Sequence, residues 1–208
     1  MKSKLLIIGA SGHGKVVADI ALKMNLWDNI AFLDDNDNME SSLGLKVIGR
    51  SDDVIKHIDD CDIIVGIGNN ATREKIQKKL EAAGASLPVL IHPSAIIGEQ
   101  VDLASGTVVM AGVIINCCTR IGKGSIINTG STIDHDNVIK DYVHVSPGVN
   151  LAGSVTIGES TWLGIGSKVV NNVVIAKGCK VGAGAVVTKD LTKPGIYVGV
   201  PAKMKVDN

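Results

Sequence analysis

The sequence predicts two successive domains, an α/β domain with a small parallel sheet over residues 1–90 and a parallel β-helix over residues 91–208. Apolar runs that alternate with segments of helical spacing indicate the first domain. An aliphatic residue at every sixth position indicates the second. The composition agrees, because 45% of the 208 residues are hydrophobic while only 2% are aromatic and 24 are glycine. Such a chain needs a narrow core filled by Ile, Val, Leu and Ala.

The first domain is predicted to alternate strands and helices. Its predicted strands are the apolar runs at residues 4–9, 30–35, 45–49 and 62–68. The apolar residues of 14–25 recur at helical spacing, which predicts a first helix. Asn69 or Asn70 can cap a second helix that runs to about Gly84. Strands that alternate with helices predict a parallel sheet.

The second domain is predicted from an unbroken repeat of six residues. From Ile91 to Val187 every sixth residue is Ile, Leu or Val, seventeen in all. The residue four positions after each is mostly small or β-branched, as at Thr107 and Ser125. Three hexads form one coil of about eighteen residues in a parallel β-helix, so the segment supplies about five coils. We expect the first domain and residues 188–208 to cover the two ends.

Charge and cysteine content exclude several classes of function. The formal net charge is +0, which gives no electrostatic reason to bind nucleic acid or an anionic membrane. The first apolar run ends at Gly9 and is too short for membrane insertion or for a signal peptide. The four cysteines form no CxxC motif, which favours reduced thiols and a cytoplasmic location.

A glycine-rich turn, "IIGASGHGK" at residues 7–15, joins the first predicted strand to the first helix. Its spacing is GxxGxG, whereas the dinucleotide fingerprint is GxGxxG, so a nucleotide diphosphate is the better ligand. A tight turn with no ligand is the alternative. His13 favours the ligand, because packing does not require an imidazole there. Asp34, Asp35 and Gly68–Asn70 follow other strands at the same sheet edge, where ordinary turn chemistry is their alternative role.

The stretch "STIDHDNVIKDYVHVSPGV" places His135 between Asp134 and Asp136. His135 lies two residues after the inward Ile133, so its side chain is expected to point outward. At a coil corner either carboxylate can approach the ring, fix its tautomer and stabilise the imidazolium. That arrangement is typical of a general base near neutral pH. A solvated surface histidine is the alternative.

A zinc site within one chain is not expected. Zinc needs three or four converging ligands, and the repeat contains only His92, His135 and His144. Their separations of 43 and 9 are not multiples of one coil, so they do not stack; a site between subunits stays open. His135 and His144 lie half a coil apart, so a site that uses both draws on two subunits.

Several motifs together carry a family resemblance. They are "GASGHG", "FLDD", "IGNN", "SxIxHD", "HVSPGVNLAGSVTIG", "GIGSKV" and "GVPAK". With them the chain resembles, over essentially its whole length, the nucleotide-sugar acyltransferases of the sialic-acid O-acetyltransferase type. It is most similar to the acetyltransferases that act on UDP-4-amino-4,6-dideoxy-N-acetylglucosamine in bacillosamine synthesis. The resemblance implies a Rossmann-like nucleotide-sugar domain, a left-handed β-helix and a homotrimer with active sites between adjacent subunits.

The resemblance also implies roles for individual residues. His135 is expected to be the general base and Asp136 its orienting carboxylate, although the family more often has Glu there. Asn128 is expected to contact the sugar, His144 the acetyl-CoA thioester, and Gly153 to offer its amide to the carbonyl oxygen. The residues expected to line CoA are Gly164, Ile165, Ala183, Gly199, Val200, Pro201 and Ala202. The residues expected to bind the sugar nucleotide are Gly9, Ser11, Gly12 and His13 at the diphosphate, Asp34 and Asp35 near the uridine, and Gly68 and Asn69 beside them.

The predicted activity is acetyl transfer from acetyl-CoA, as co-substrate, to a UDP-amino-sugar in glycan biosynthesis. The acceptor amine attacks the thioester directly, so neither a metal nor a covalent intermediate is expected. Cys117 and Cys118 are interpreted as structural, since the sequence places no base beside them. O-acetylation of a sialic acid by the same apparatus is one alternative. A non-catalytic nucleotide-sugar sensor on a β-helix is another.

Overall fold

The computed structural model describes residues 2–205, so the last residues of the predicted tail, 206–208, lie outside it. The chain divides into two compact units, the first ending at Pro93 and the second beginning at Ser94. The sequence predicts this boundary after residue 90. In the described part of the chain, no helix has the length and apolar character needed to span a bilayer.

The first unit is a small α/β structure. Its elements are β1 (Lys4–Ile8), α1 (Gly12–Met24), β2 (Asn29–Leu33), β3 (Ser41–Ser42), β4 (Leu45–Lys46), a 3-10 helix (Ser51–His57), β5 (Cys61–Val65), α2 (Asn70–Ala82) and β6 (Leu90–Ile91). Strands β2, β1 and β5 form a parallel sheet in that order. Residues Leu5 to Ile8 of β1 are all buried, which is why the strand reads as a continuous apolar run.

The prediction for residues 45–49 is wrong in part. Leu45–Lys46 pairs antiparallel with Ser41–Ser42 and forms a hairpin, and only Val47 makes a parallel bridge to β2. Leu43 and Gly44 link the two strands with φ angles of 50° and 74°. Two consecutive residues with positive φ make the tight turn that suits a hairpin. An apolar run alone does not reveal that turn.

The second unit is a parallel β-helix with three flat faces. Face 1 consists of β7 (Ile96–Ile97), β10 (Ile114–Ile115), β13 (Thr132–Ile133), β16 (Asn150–Leu151), β19 (Lys168–Val169) and β22 (Val186–Val187). Face 2 consists of β8 (Asp102–Leu103), β11 (Arg120–Ile121), β14 (Val138–Ile139), β17 (Thr156–Ile157) and β20 (Val174–Ile175). Face 3 includes β9 (Val108–Val109), β12 (Ile126–Ile127), β15 (His144–Val145), β18 (Trp162–Leu163), β21 (Lys180–Val181), β23 (Ile196–Val198) and β24 (Lys203–Met204).

The strands are stacked in the predicted register. Ile115 pairs with Ile133, and Ile133 pairs with Leu151, so each coil takes up eighteen residues. Face 1 holds six strands, which makes about six coils, where the repeat predicts about five. The difference is one of counting, because seventeen hexads at three per coil come close to six coils. Beyond the last hexad, β23 adds a further strand to face 3.

The core of the β-helix is the column of hexad residues. From Val109 to Val187 every one of them is buried, while Ile91, Ile97 and Leu103 at the start are half-buried. The small polar residues between them are buried as well, and most donate to main-chain carbonyl groups, whereas Ser167 Oγ has no partner among the described residues. Thr107 donates to Gly122 O at 2.9 Å, and Thr119 donates to Asp134 O at 3.0 Å. The hydroxyl groups of Thr107 and Thr119 therefore keep a hydrogen bond inside a narrow core.

Candidate active site

His135 lies at the corner that follows β13, and its ring is paired with Asp136. His135 Nδ1 lies 2.7 Å from Asp136 Oδ2, and the two side chains are 53% and 59% exposed. Asp136 has a φ of 58°, a left-handed conformation that Asp adopts more readily than most residues. In a regular strand the two side chains would point to opposite sides, so this corner conformation is what brings them together.

Asp134 contacts the main chain of the same corner and not the ring. Its Oδ1 accepts hydrogen bonds from the His135 backbone N–H at 2.9 Å and from Asn116 Nδ2 at 2.8 Å. The hydrogen bond from Asn116 is the main reason that the pKa of Asp134 lies below its usual value. The sequence left open which aspartate approaches the imidazole, and the geometry assigns that contact to Asp136.

The two aspartates favour the charged form of the imidazole. The pKa of His135 is raised above its ordinary value, chiefly by the hydrogen bond to Asp136 and then by the charge of Asp134. The same hydrogen bond assigns the proton of the neutral ring to Nδ1, because a carboxylate only accepts. Nε2 is then the atom that can take a proton from another molecule.

Gly153 lies against the His135 ring one coil later. The backbone N–H of the next residue, Ser154, donates to His135 O at 3.0 Å, which fixes the two coils together. A Cβ built on Gly153 would lie 2.7 Å from both Cε1 and Nε2 of His135, closer than real Cβ atoms approach. The ring therefore lies toward the later coil. Cys117, at the same place in the preceding coil, is on the other side.

His144 and Asn128 contact each other on face 3. Asn128 Nδ2 lies 3.1 Å from His144 Nε2. The two residues lie in adjacent coils, Asn128 directly after β12 and His144 in β15. His135 follows a strand of face 1, so the two histidines of one chain occupy different faces. The sequence predicted this separation. The family resemblance implied that Asn128 contacts the sugar, and neither predicted its contact with His144.

Of the residues predicted to line CoA, Ile165 and Ala183 are exposed, whereas Gly164 is buried. Ile165 and Ala183 are exposed at the same turn of successive coils, where Gly184 N donates to Ile165 O at 2.9 Å. Gly164 is required by packing, because a Cβ there would lie 2.6 Å from Val181 O.

The "GVPA" segment follows β23. Gly199 has a φ of 93°, Val200 is 73% exposed, and the peptide bond before Pro201 is cis. Ala202 N donates to Val186 O at 2.7 Å, which attaches the segment to the last strand of face 1. Ile165, Ala183 and Val200 thus present apolar surface that the fold does not use.

Asp34 and Asp35 in the first unit both accept main-chain hydrogen bonds. Asp34 accepts from Ala10 N at 2.7 Å through one oxygen and from Asn36 N at 2.9 Å through the other. Asp35 accepts from Ser51 N at 3.0 Å. Both residues therefore hold the local backbone, and any contact to a ligand would be additional.

The glycines of the first turn differ in what the fold requires of them. Gly9 has a φ of 97°, and a Cβ on Gly14 would lie 1.9 Å from Gly9 O. Both must therefore be glycine for the helix to pack on the strand. Apart from the neighbouring residues of the chain and the nearby backbone of the same helix, no described atom lies within 4 Å of a Cβ built on Gly12 or on Gly68, and neither has a positive φ. These two glycines leave open space beyond adjacent strands β1 and β5.

The first turn of α1 suits an anion. Ser11 is the N-cap, and within residues 2–205 its side chain makes no capping hydrogen bond. The first turn of α1 contains no acidic residue among those described, and it includes the half-buried His13. Backbone N–H groups at a helix start attract phosphate.

Known proteins match both units of the chain. Residues 4–80 match the PglD N-terminal domain, and residues 154–189 match the bacterial transferase hexapeptide (six repeats). The acetyltransferase domain of PglB from Neisseria gonorrhoeae FA1090, solved with acetyl coenzyme A, is 37% identical over 99% of this chain and 100% of its own, with a TM-score of 0.95. PerB from Caulobacter crescentus, solved with CoA and GDP-perosamine, is 37% identical over 98% of this chain and 97% of its own, with a TM-score of 0.91.

The chain belongs to the nucleotide-sugar N-acetyltransferases of the hexapeptide-repeat superfamily. A curated relative, GDP-perosamine N-acetyltransferase of Escherichia coli O157:H7, is 29% identical over 52% of this chain and 49% of its own length. The chain thus spans about half the length of the curated relatives that it matches. The predicted fold class, a Rossmann-like domain followed by a left-handed parallel β-helix, is confirmed, and so is the predicted enzyme class.

Arg73 is a residue of the first unit whose role the sequence did not predict. Its side chain is only 1% exposed and donates to Ile67 O at 3.1 Å, Gly68 O at 3.0 Å and Asn70 Oδ1 at 2.8 Å. Asn69 accepts from Thr72 N at 3.0 Å and caps α2. Arg73 therefore holds the turn that contains Gly68. A cation on a helix is usually solvated, so its type and spacing gave no signal.

Trp162 is a second residue that the sequence analysis did not single out. It pairs with His144 in the next coil of face 3, and Lys180 follows one coil later. Trp162 is 38% exposed although it is one of two tryptophans in a chain that is 2% aromatic. Its position eighteen residues after His144 was the available signal. An exposed indole beside a cation suits the aromatic base of a nucleotide.

A cavity of about 250 Å³ lies at the carboxyl end of β2. Its lining residues are Asp34, Asn36, Asp37, Met39, Glu40, Val47, Gly49 and Arg50. Carboxylate and amide oxygens there suit hydroxyl and N–H groups better than phosphate. Among residues 2–205 no group of three or more His, Cys, Asp and Glu side chains is arranged to hold a metal ion.

Proposed function

We propose that the protein transfers the acetyl group of acetyl-CoA to the amino group of a UDP-4-amino-4,6-dideoxy-sugar. The observation that carries the proposal is the exposed His135 imidazole. Its Nδ1 is hydrogen-bonded to Asp136, and its ring lies against Gly153. Solved relatives that contain acetyl-CoA, or CoA with GDP-perosamine, support the choice of donor and acceptor class. The reaction is assigned to the cytoplasm, because Cys61, Cys117, Cys118 and Cys179 are all free thiols.

His135 Nε2 serves as the general base of the proposed reaction. The acceptor nitrogen attacks the thioester carbonyl carbon, and Nε2 takes the proton that the nitrogen loses. The carbonyl oxygen gains negative charge, which the N–H of Gly153 stabilises. The C–S bond then breaks, and the leaving CoA thiolate is protonated. Because the His135 ring lies against Gly153, the base and the amide donor occupy one corner of the chain.

The diphosphate of the acceptor binds at the start of α1. Ser11, Gly12 and His13 offer main-chain and ring donors, and Gly12 leaves the space that a phosphate needs. The acidic cavity beyond β2 takes the ribose and base through Asp34 and its neighbours. Trp162 and Lys180 join Ile165, Ala183 and Val200 as the proposed CoA surface.

Replacing Gly12 by valine tests the acceptor site. We expect the KM for the sugar nucleotide to rise while the KM for acetyl-CoA and the melting temperature stay nearly unchanged, because a side chain at Gly12 meets only open space. Gly14→Ala is the matched control in the same turn. It should lower the melting temperature, because its Cβ collides with Gly9 O. Equal loss of affinity for both substrates in Gly12→Val would refute the assignment.

A homotrimer is part of the proposal, because His135 and His144 of one chain occupy different faces. A complete site then needs His135 of one subunit and His144 of its neighbour. Light scattering should give three times the chain mass of 21.6 kDa. A monomer at micromolar concentration would contradict the shared site.

A GDP-4-amino-sugar is a second candidate acceptor. GDP-perosamine is bound in the solved PerB structure, and a curated relative is a GDP-perosamine N-acetyltransferase. Thiol release from acetyl-CoA should be measured with UDP-linked and GDP-linked 4-amino-sugars and with sialic acids. Fast turnover of the UDP-linked amine supports the proposal, and fast turnover of the GDP-linked amine supports the second candidate. Turnover of sialic acid alone would mean O-acetylation. No release with any acceptor would indicate a non-catalytic binding protein.

A further inference from the structure

We propose that Asn128 is a positioning residue for His144, which fixes the imidazole with an unprotonated Nε2 and its proton on Nδ1. The inference rests on the proposed function only for its kinetic consequence. Its structural basis is one side-chain pair, Asn128 Nδ2 and His144 Nε2, separated by 3.1 Å. The family resemblance alone assigns Asn128 to the acceptor sugar. In the structure its side-chain amide instead contacts His144, the residue expected to contact acetyl-CoA.

The orientation of the Asn128 amide follows from its other contact. Asn128 Oδ1 accepts the backbone N–H of Thr129 at 2.8 Å. A backbone N–H can only donate, so the atom that faces it must be the carbonyl oxygen. The NH₂ group of Asn128 is therefore the atom that faces His144. The main-chain carbonyl of Asn128 also accepts the hydroxyl of Ser131 at 2.8 Å, which holds this corner of the coil.

The tautomer of His144 follows from that orientation. The NH₂ group has only donors, so Nε2 of the ring must accept. An imidazole whose Nε2 accepts is neutral, and it carries its proton on Nδ1. Nδ1–H is then the ring donor that His144 can offer to the acetyl-CoA. His135 carries its proton on the same ring atom, but Asp136 is what holds it there.

The role of the pair in catalysis is to present His144 in one fixed form. His144 is half-buried at the start of β15, and Trp162 lies beside it in the next coil. A ring that flips its proton between two nitrogen atoms would present a donor to acetyl-CoA only part of the time. The Asn128 amide favours one tautomer of His144, and it does so without placing a charge beside the ring.

Nitrogen-15 NMR of histidine-labelled protein tests the inference without reference to activity. In the wild-type protein His144 should show a pyridine-like, unprotonated Nε2 and a protonated Nδ1. Asn128→Asp replaces the donor by an acceptor and should move the proton to Nε2. Asn150→Asp is the matched control, because Asn150 donates to Thr132 on face 1, whereas His144 lies on face 3. The control should leave the His144 signals as in the wild type.

Kinetics provide the second readout. Asn128→Asp should raise the KM for acetyl-CoA by roughly two- to tenfold, the range of one hydrogen bond, while the KM for the sugar nucleotide stays nearly constant. A wild-type His144 protonated at Nε2, or His144 signals unchanged in Asn128→Asp, would overturn the tautomer. A change confined to the sugar nucleotide KM would return Asn128 to the acceptor site. If no substrate were turned over, the NMR result would still decide the tautomer.

Discussion

Replacing His135 by alanine should lower kcat by roughly 10²–10⁴-fold with little change in either KM, the loss expected when a general base is removed. The fold should survive, because the side chain is 53% exposed and the core beside it consists of the buried Ile133 and Ile139. Steady-state kinetics on an acceptor that the wild-type protein acetylates give the measurement. His57→Ala, at a histidine outside the proposed site, is the control and should retain full activity.

The pH dependence checks the same assignment. The base must be neutral, so the wild-type rate should rise with pH through the pKa of His135, which lies above the ordinary histidine value. Asp136→Asn removes the main cause of that raised pKa, so the rise should move to lower pH. It should also cost less in kcat than His135→Ala, because the base remains. Near-wild-type kcat in His135→Ala would show that another group accepts the proton.

Replacing Gly153 by alanine should lower kcat by about 10²-fold, the cost of displacing a catalytic group by about 1 Å. A Cβ there would lie 2.7 Å from His135 Nε2 and Cε1, so the ring must move. Gly153 has no positive φ, so alanine brings no backbone strain. The melting temperature should therefore stay nearly constant, since an exposed ring can move aside at little cost.

A double-mutant cycle shows whether Gly153 acts through His135. In the His135→Ala background there is no ring to displace, so adding Gly153→Ala should change kcat little. Asn171→Ala, at the same place one coil after Gly153, is the control and should leave kcat unchanged. Additive losses in the double variant would mean that Gly153 acts separately, for example only through its amide.

Much of the fold could be predicted because the hexad repeat fixes both register and burial. Once Ile133 is assigned inward, its partners Ile115 and Leu151 follow from the eighteen-residue coil, and the structure pairs these residues. The strand at 45–49 could not be predicted in the same way. Its apolar pattern also suits a hairpin, and the positive φ of Leu43 that makes the hairpin leaves no mark in the pattern.

The proposed site was predictable only in part. The repeat separates His135 and His144, but the choice between Asp134 and Asp136 depends on the φ of 58° at Asp136. Contacts that cross coils diagonally were also missed. Asn128 and His144 are sixteen residues apart, so no simple count of whole coils brings them together. Gly14 and Gly12 look alike in sequence, and only the distance to Gly9 O separates their roles.

The stacking of the second unit has a consequence for how it comes apart. Each coil makes its ladder hydrogen bonds only with the coil before and the coil after it, as Asn116 N to Ile133 O and Asp134 N to Leu151 O illustrate. The free energy of unfolding of such an array is nearly a sum of the terms for single coils and for neighbouring pairs of coils. Loss of structure therefore begins at an end coil, which has one neighbour, and advances coil by coil. His135 and Gly153 belong to coils in the middle of the array. Fraying at either end therefore leaves their corner closed until most of the β-helix on that side has opened.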